Sequence, residues 1–148
     1  MVTKKPKIGK KKIRVRNSGI VNLQYFEDPP DGNLAIGEVL RNIPFKIKRF
    51  YFINSLENPK ALRGKHAHKK LEQIIFCING SFTLHLDDGE TKQRIKMDNP
   101  YIGIRLGPLL WNEMGDFSQN CVILIIANDY FRESDYIRDY SEFLDLVK

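Results

Sequence analysis

No stretch of this 148-residue chain is apolar for long enough to cross a bilayer, and no apolar segment near the amino terminus separates a charged start from a cleavage site, as a secretory leader requires. The expectation is a cytoplasmic protein without membrane contact. Cysteine is scarce: Cys77 and Cys121 are the only two. Each lies in an apolar, strand-like run (Ile74–Ile78 and Cys121–Ile126), where a thiol serves as a small buried hydrophobe. No structural disulfide is expected in a reducing compartment. Acid is missing altogether from residues 1–16, which hold Lys4, Lys5, Lys7, Lys10, Lys11, Lys12, Arg14 and Arg16. Removing these eight from the 24 basic residues leaves 16 against 18 acidic ones, so the net charge of +6 belongs to the tail and the body is near −2. Such a tail can contact phosphate backbones. It has no interleaved aromatics, however, and no nucleic-acid motif accompanies it, so no nucleic-acid partner is expected. Residues 1–16 read as a flexible basic extension; the alternatives are a polyanion contact or a few residues, Lys12 to Val15, joining a sheet edge.

What remains, 17–148, is long enough to bury one core without staples. Its 42% hydrophobic and 28% charged content is that of an ordinary globular domain. Neither an internal repeat nor a second domain is visible.

Turn punctuation divides this body into short strands. Tyr25–Gly32 reads as a loop, because Asp28-Pro29-Pro30-Asp31-Gly32 continues neither strand nor helix. Leu34–Val39 and Lys46–Ile53 are strand candidates, the second rich in β-favouring Phe50, Tyr51, Phe52 and Ile53. A polar loop follows at Ser55–Leu62. Gln73–Ile78 and Ser81–Leu86 flank Asn79-Gly80, a strong hairpin signal, and are expected to pair antiparallel. Ser81–Leu86 alternates strictly and turns through Asp87-Asp88-Gly89 into Thr91–Met97. Tyr101–Leu106 and Cys121–Asn128 add two strands around a loop at Gly107–Ser118. Only Asp135–Val147 carries helical spacing, in Tyr136, Ile137, Tyr140, Phe143, Leu144 and Val147, with Ser134 as N-cap. The pattern is all-β: an antiparallel β-barrel or jelly roll with a short C-terminal helix.

Histidine is as sparse as cysteine, with three in the chain, yet two of them stand two residues apart in Arg63-Gly64-Lys65-His66-Ala67-His68. On an extended strand His66 and His68 face the same way. That spacing fits a site, though two structural histidines on a strand would look the same. His85, on the polar face of its strand, is expected to be a spectator.

His66-Ala-His68, followed by Gln73 and then Gly80, resembles the first motif of the cupin superfamily, in which a carboxylate usually stands at the Gln73 position and the set holds a metal with a later histidine. This chain breaks that set: Glu72 is one residue out of register, and Asn112 lies close to where the later histidine is expected. Two imidazoles and an amide are a poor transition-metal site, so no metal is expected.

Asp31-Gly32-Asn33-Leu34, Ile43-Pro44-Phe45-Lys46-Ile47-Lys48-Arg49, Arg63 to His68, Gly107-Pro108-Leu109-Leu110-Trp111-Asn112-Glu113-Met114, Asn128-Asp129-Tyr130-Phe131 and Ser134-Asp135-Tyr136-Ile137-Arg138 together resemble the sugar 3,4-ketoisomerases, cupins that act on thymidine diphosphate (dTDP)-linked 4-keto-6-deoxyglucose. The similarity runs over about residues 20 to 145. It departs at Asn112, where many members have histidine after Trp111, and in Arg49-Phe50-Tyr51-Phe52-Ile53-Asn54, whose aromatic order makes the family's active-site tyrosine hard to align. The resemblance implies transfer of a carbonyl from C4 to C3 through an enediol or enediolate without a cofactor, in deoxy- or amino-sugar synthesis for surface polysaccharide such as O-antigen or S-layer glycan. It implies His66 as the carbon base, His68 as its partner, Tyr51 as a hydroxyl donor, Gln73 as a neutral orienting group and Arg63 on the diphosphate. Trp111 either walls the sugar pocket or packs the core. A homodimer is implied too, and exposed edges of a small jelly roll suit one. Competing readings are a dTDP-sugar epimerase, a sugar-binding cupin without catalysis and a polyanion binder using the tail.

Overall fold

The computed structural model describes residues 12–148 and the backbone of Val2–Thr3. Most of the basic extension therefore lies outside the described residues. Two five-stranded antiparallel sheets carry the body. The first is ordered β2 (Ser18–Asn22), β10 (Ile102–Leu106), β7 (Gln73–Asn79), β12 (Val122–Ala127), β5 (Arg49–Ile53); the second β13 (Tyr136–Ile137), β6 (Arg63–His68), β11 (Trp111–Gly115), β8 (Phe82–Asp87), β9 (Lys92–Met97). A third, small sheet joins β1 (Val2–Thr3), β3 (Gln24–Asp28) and β4 (Gly32–Ile36). One α-helix, α1, spans Tyr140–Val147 among the described residues.

The two large sheets pack face to face. Ile75, Cys77, Ile104, Leu106, Ile123 and Ile125 of the first meet Phe82, Leu84, Leu86, Ile95, Met97 and Met114 of the second in one buried core. Alternate residues of β7, Ile74 and Phe76, point the other way into a second cluster with Val21, Ile43, Phe45 and Ile126. A strand buried on both faces reads as an unbroken apolar run. No strand pair links the two large sheets among the described residues, so the architecture is two facing sheets, the double-sheet form of a jelly roll.

One lateral opening is closed by residues 12–17. The Arg14 N–H donates to Gln93 Oε1 (2.9 Å) and Gln93 Nε2 donates to the Lys12 carbonyl (3.0 Å). Val15 then enters the core and the Arg16 N–H donates to Asp88 Oδ2 at 2.7 Å. The chain thus crosses from the β9 edge of one sheet to the β2 edge of the other. The packed body reaches back at least to Ile13, which lies against the core.

Four expectations are corrected. The strands flanking Asn79-Gly80 do not pair: β7 lies between β10 and β12, and β8 between β11 and β9. The turn, with Gly80 at φ +71°, passes the chain from one sheet to the other. It is held there by the Asn79 Nδ2 bond to the Asn120 carbonyl (2.6 Å) and the Ser81 N–H bond to Ser118 Oγ (2.8 Å). The loop at Tyr25–Gly32 is a hairpin, β3 and β4, with the two prolines at its tip and the Asp31 N–H on the Asp28 carbonyl (2.7 Å). The loop at Gly107–Ser118 contains β11, the middle strand of its sheet. The helix is shorter than expected: Tyr136 and Ile137 form β13 and pair with His68 and Ala67. The helix begins only at Tyr140, where Asp139 accepts the Glu142 N–H at 2.8 Å as N-cap in place of Ser134. The hairpin from β8 to β9 stands as expected, from Phe82 opposite Met97 to Asp87 opposite Lys92. Cys77 and Cys121 are buried and free, their sulfurs 4.0 Å apart.

Candidate active site

The histidine pair sits on β6, whose register against β11 is interrupted. Met114 faces Arg63 and Glu113 faces Gly64, but Asn112 faces His66, so Lys65 is an extra residue. Gly64 and Lys65 both have positive φ, +79° and +57°, the signature of a bulge opened by glycine. Its consequence is directional. In a regular strand residues three apart face opposite sides; the extra residue returns Arg63 to the face that His66 occupies. Glycine is required at 64 because a Cβ there would lie 2.9 Å from the Asn112 carbonyl oxygen and 3.1 Å from its side-chain oxygen. Asn112 also donates from Nδ2 to the His66 carbonyl at 3.0 Å, which pins the strand just beyond the bulge.

His66 and His68 do share a face, their rings 4.9 Å apart and nearly perpendicular. Tyr136, in register with His68, touches both rings, at 4.4 Å from His68 and 5.0 Å from His66. The Arg138 guanidinium lies 4.3 Å over the outer part of that stack, on Tyr136. His68 is 4% exposed, and its Nδ1 faces Asp135 Oδ2 at 3.2 Å. Across the cleft stands β5, the edge of the other sheet. Its Tyr51 donates to Gln73 Oε1 at 2.7 Å, and its Arg49 lies over the rings of Tyr51 (5.6 Å) and Phe131 (5.9 Å). Three buried polar atoms have no hydrogen-bond partner among the described residues: His66 Nδ1, His68 Nε2 and Arg49 Nε. Buried polar groups are ordinarily paired. A cleft that leaves three unpaired in one place is built to receive polar atoms from elsewhere.

The electrostatics follow from burial. Burial lowers the pKa of His66 from 6.5, with the Gly64 backbone pulling the other way. His68 is pushed down to about 4 by burial and by the neighbouring His66, against the pull of Asp135. Both imidazoles are therefore neutral near pH 7 and able to accept a proton. Tyr51 is raised to about 12, mainly by burial, and remains a neutral phenol that donates.

Of the residues singled out in the sequence, His66, His68, Tyr51 and Gln73 come together, and the bulge aims Arg63 along the same face. Trp111 does not join them. Asn112 shares the inner face with His66, so its neighbour Trp111 turns outward, where it is 6% exposed and packs with Ala67, Ile137 and Phe143 beneath α1. Its indole N–H donates to Glu113 Oε1 at 3.0 Å. Asp135, Tyr136 and Arg49 were not picked out. All three lie within the motif strings quoted above, but the helical reading of 135–147 hid the first two. The donor set does not fit a cupin metal centre: Glu72 is held by Arg105 on the outer face (2.6 Å), Gln73 is engaged by Tyr51, and Asn112 turns its amide to the His66 carbonyl. No group of three or more histidine, cysteine or acidic side chains is placed to hold a metal ion among the described residues.

A nearly all-β chain of two facing sheets ending in one short helix, with two buried imidazoles on a sheet edge, has a cupin-like fold. The chain belongs to the WxcM-like, C-terminal (FdtA) family, whose model matches residues 16–148. It is 49% identical over 124 residues to the TDP-4-oxo-6-deoxy-alpha-D-glucose-3,4-oxoisomerase of Aneurinibacillus thermoaerophilus, covering 84% of this chain and 88% of that one. Among solved structures it is similar to the 3,4-ketoisomerase QdtA from Thermoanaerobacterium thermosaccharolyticum in complex with TDP: TM-score 0.87, 36% identity, 90% of this chain and 96% of that one. A 3,4-ketoisomerase from Helicobacter canadensis matches with TM-score 0.84 and 40% identity, over 90% and 98% of the two chains. The family resemblance read from the motifs is thereby confirmed.

Proposed function

We propose that this protein is a dTDP-4-keto-6-deoxyglucose 3,4-ketoisomerase that works by proton transfer between histidines and substrate. The observation that carries this reading is the pair of buried, neutral imidazoles 4.9 Å apart, each with a ring nitrogen that has no hydrogen-bond partner among the described residues. The 49% identical oxoisomerase supplies the reaction class, and QdtA has also been solved as a histidine-to-asparagine variant in complex with TDP-4-keto-6-deoxyglucose.

The net change is an internal redistribution. The proton on C3 and the hydroxyl proton on O3 are lost, C4 and O4 each gain one, and the carbonyl moves from C4 to C3. Nothing is oxidised or reduced overall, so the balance calls for no redox cofactor. His66 takes the C3 proton, and the electron pair passes into the C3–C4 bond and onto O4. Neutral His68 relays the hydroxyl proton. Tyr51, a donor at any ordinary pH, and Arg49 face the oxygens on which charge develops, where preorganised donors contribute most. Arg63, farther along the same face, takes the diphosphate through the planar fork that suits phosphate oxygens.

The assembly we propose is a homodimer. Phe50 and Phe52, 67% and 59% exposed on the outer face of edge strand β5, lie in the same sheet as an apolar cleft of about 520 Å³ lined by Leu23, Ile43, Ile47, Phe76, Ile78 and Tyr101. Exposed apolar surface of this kind marks an interface. No helix is long and apolar enough to cross a membrane among the described residues. A cytoplasmic place in deoxysugar synthesis for surface polysaccharide fits the reaction.

The experiment is incubation with the dTDP-linked 4-keto sugar in deuterium oxide, followed by proton NMR. A 3-keto product labelled at C4 is expected, and H66N should be slower by at least about two orders of magnitude, the usual contribution of a general base. Label at C5, or at C3 of a sugar still carrying its 4-keto group, would instead reveal an epimerase; unchanged substrate at high protein concentration leaves only a binding protein.

A further inference from the structure

The Asp135 carboxylate is fixed before His68 enters the account. Its Oδ1 accepts the Lys70 N–H at 2.9 Å and its Oδ2 the Leu71 N–H at 3.2 Å, while its own carbonyl accepts the Lys69 N–H at 2.9 Å. Asp135 therefore straps the turn that leaves β6, and the chain then runs directly into Tyr136, which pairs with His68. Both carboxylate oxygens are anchored by backbone. His68 Nδ1 stands 3.2 Å from one of them.

An ionised carboxylate offers only acceptors, so the imidazole nitrogen facing it must carry the proton. In a neutral ring that leaves the lone pair on Nε2, the buried atom with no partner among the described residues. We propose that Asp135 is the positioning residue for His68: it selects the Nδ1–H tautomer, turns Nε2 into the cleft beside His66, and stabilises the imidazolium each time His68 accepts a proton. This deepens the ketoisomerase reading and rests on it. His68 is otherwise surrounded by His66, Tyr136 and, across the cleft, Arg49. None of these supplies a negative charge, so the stabilising role falls to Asp135 alone among the charged groups that face the ring.

The same logic separates the two histidines. His66 has no carboxylate hydrogen-bond partner among the described residues; its influences are burial, the Gly64 backbone and the charges of Arg138 and Glu133. His68, charged only in passing as it relays the hydroxyl proton, thus meets a carboxylate at that moment, whereas His66, the carbon base, does not.

The test combines side-chain nitrogen NMR of the histidines with steady-state kinetics on full-length wild type, D135N and D135A. In the wild type His68 should carry its proton on Nδ1. In the variants the Nε2–H form should gain population, and kcat should fall at least about tenfold while KM for the keto sugar moves less than about threefold, because the lost interaction strengthens only when His68 is charged. Should D135A fail to fold, D135N decides, since it keeps the size and one backbone acceptor. A wild-type His68 protonated on Nε2, or a D135N protein with wild-type kcat and unchanged tautomer, overturns the assignment. A D135N protein that loses stability and raises KM with kcat and tautomer unchanged would make Asp135 a structural strap only, which also overturns it. If the wild type leaves the keto sugar untouched while the tautomer shift appears as expected, the ketoisomerase reading fails and the pairing of Asp135 with His68 stands.

Discussion

Acid should weaken this protein through His68 before ordinary carboxylates titrate. In the folded state burial and the adjacent His66 hold His68 at a pKa of about 4, against 6.5 for an unperturbed histidine. Between those values the unfolded chain binds more protons than the folded one, so stability falls as pH falls. The contribution is fully present above pH 6.5 and fully lost below about 4. At about 1.4 kcal/mol per pKa unit the complete loss is about 3 kcal/mol, and the part lost between pH 7 and pH 5 is about 2 kcal/mol. The assay is urea unfolding of wild type and H68Q at pH 7 and pH 5, at one fixed protein concentration so that self-association does not enter the comparison. The wild type should lose about 2 kcal/mol more than H68Q, a displacement of the midpoint by about 1 M at a typical slope. His66 is depressed as well and interacts with His68, so the difference between the two proteins reads His68 together with its coupling to His66. Equal losses in the two proteins, within about 0.5 kcal/mol, would mean that His68 titrates alike folded and unfolded, and the argument that the cleft keeps its imidazoles neutral by desolvation would collapse.

Four further outcomes are expected. R63A should raise KM for the nucleotide sugar by about tenfold to a hundredfold, the worth of a charge-assisted hydrogen bond, with kcat little changed; an unaltered KM removes Arg63 from the phosphate. G64A should cost about 2 kcal/mol or more, because alanine is strained at φ +79° and its Cβ meets the Asn112 carbonyl at 2.9 Å. It should also lower kcat by displacing His66, and full stability with full activity would show that the bulge does not need glycine. Replacing Phe50 and Phe52 together by glutamate should convert a dimer into a monomer by light scattering; a monomeric wild type, or a variant that stays dimeric, rejects that face as the interface. Turnover should survive exhaustive EDTA treatment, whereas loss of activity restored by a divalent cation would overturn the metal-free chemistry.

Where local pattern and burial agree, the sequence was readable. The strict alternation of Phe82, Leu84 and Leu86 fixes the inner face of β8, and Asp87-Asp88-Gly89 turns the chain back onto itself in register. The histidine pair was legible because strand geometry alone puts residues i and i+2 on one side. Asn79-Gly80 misled because a turn signal specifies that the chain reverses, not which strand it then pairs with. Burial of β7 on both faces and the grip of Ser118 and Asn120 on the turn decide the pairing. Strand β11 escaped notice since Trp111-Asn112-Glu113-Met114-Gly115 mixes polar with apolar residues without a β-branched one among them. The same strand explains Trp111: one step of alternation from Asn112 moves it from the cleft to the packing beneath α1. Asp135 and Tyr136 were concealed because Tyr136, Ile137, Tyr140 and Phe143 satisfy helical spacing as well as they satisfy a two-residue strand, a short hinge and a helix.

The position of the site follows from what its chemistry requires of water. Imidazoles on the open surface would keep their ordinary pKa and be largely protonated in mildly acid conditions, while imidazoles at the centre of the sandwich could not meet a substrate. The seam between two sheet edges offers the intermediate case; among the described residues, 12–17 close the seam at the β2 and β9 edges, and the histidines lie on the other sheet-edge side, facing β5. An uncovered edge strand is a liability, and β6 is covered over a short length only, by Tyr136 and Ile137 opposite His68 and Ala67. That cover does three things at once: it completes the backbone hydrogen bonding of β6 at the reactive end, lays an aromatic ring against both imidazoles, and delivers the Asp135 carboxylate to His68 Nδ1. Beyond it, at Gly64 and Lys65, the strand bulges and turns Arg63 to the same face. The histidine pair marks the proposed site in the sequence, but it is the edge on which the pair sits, with a carboxylate arriving on one side and a bulge on the other, that suits two imidazoles to the proton transfer proposed for them.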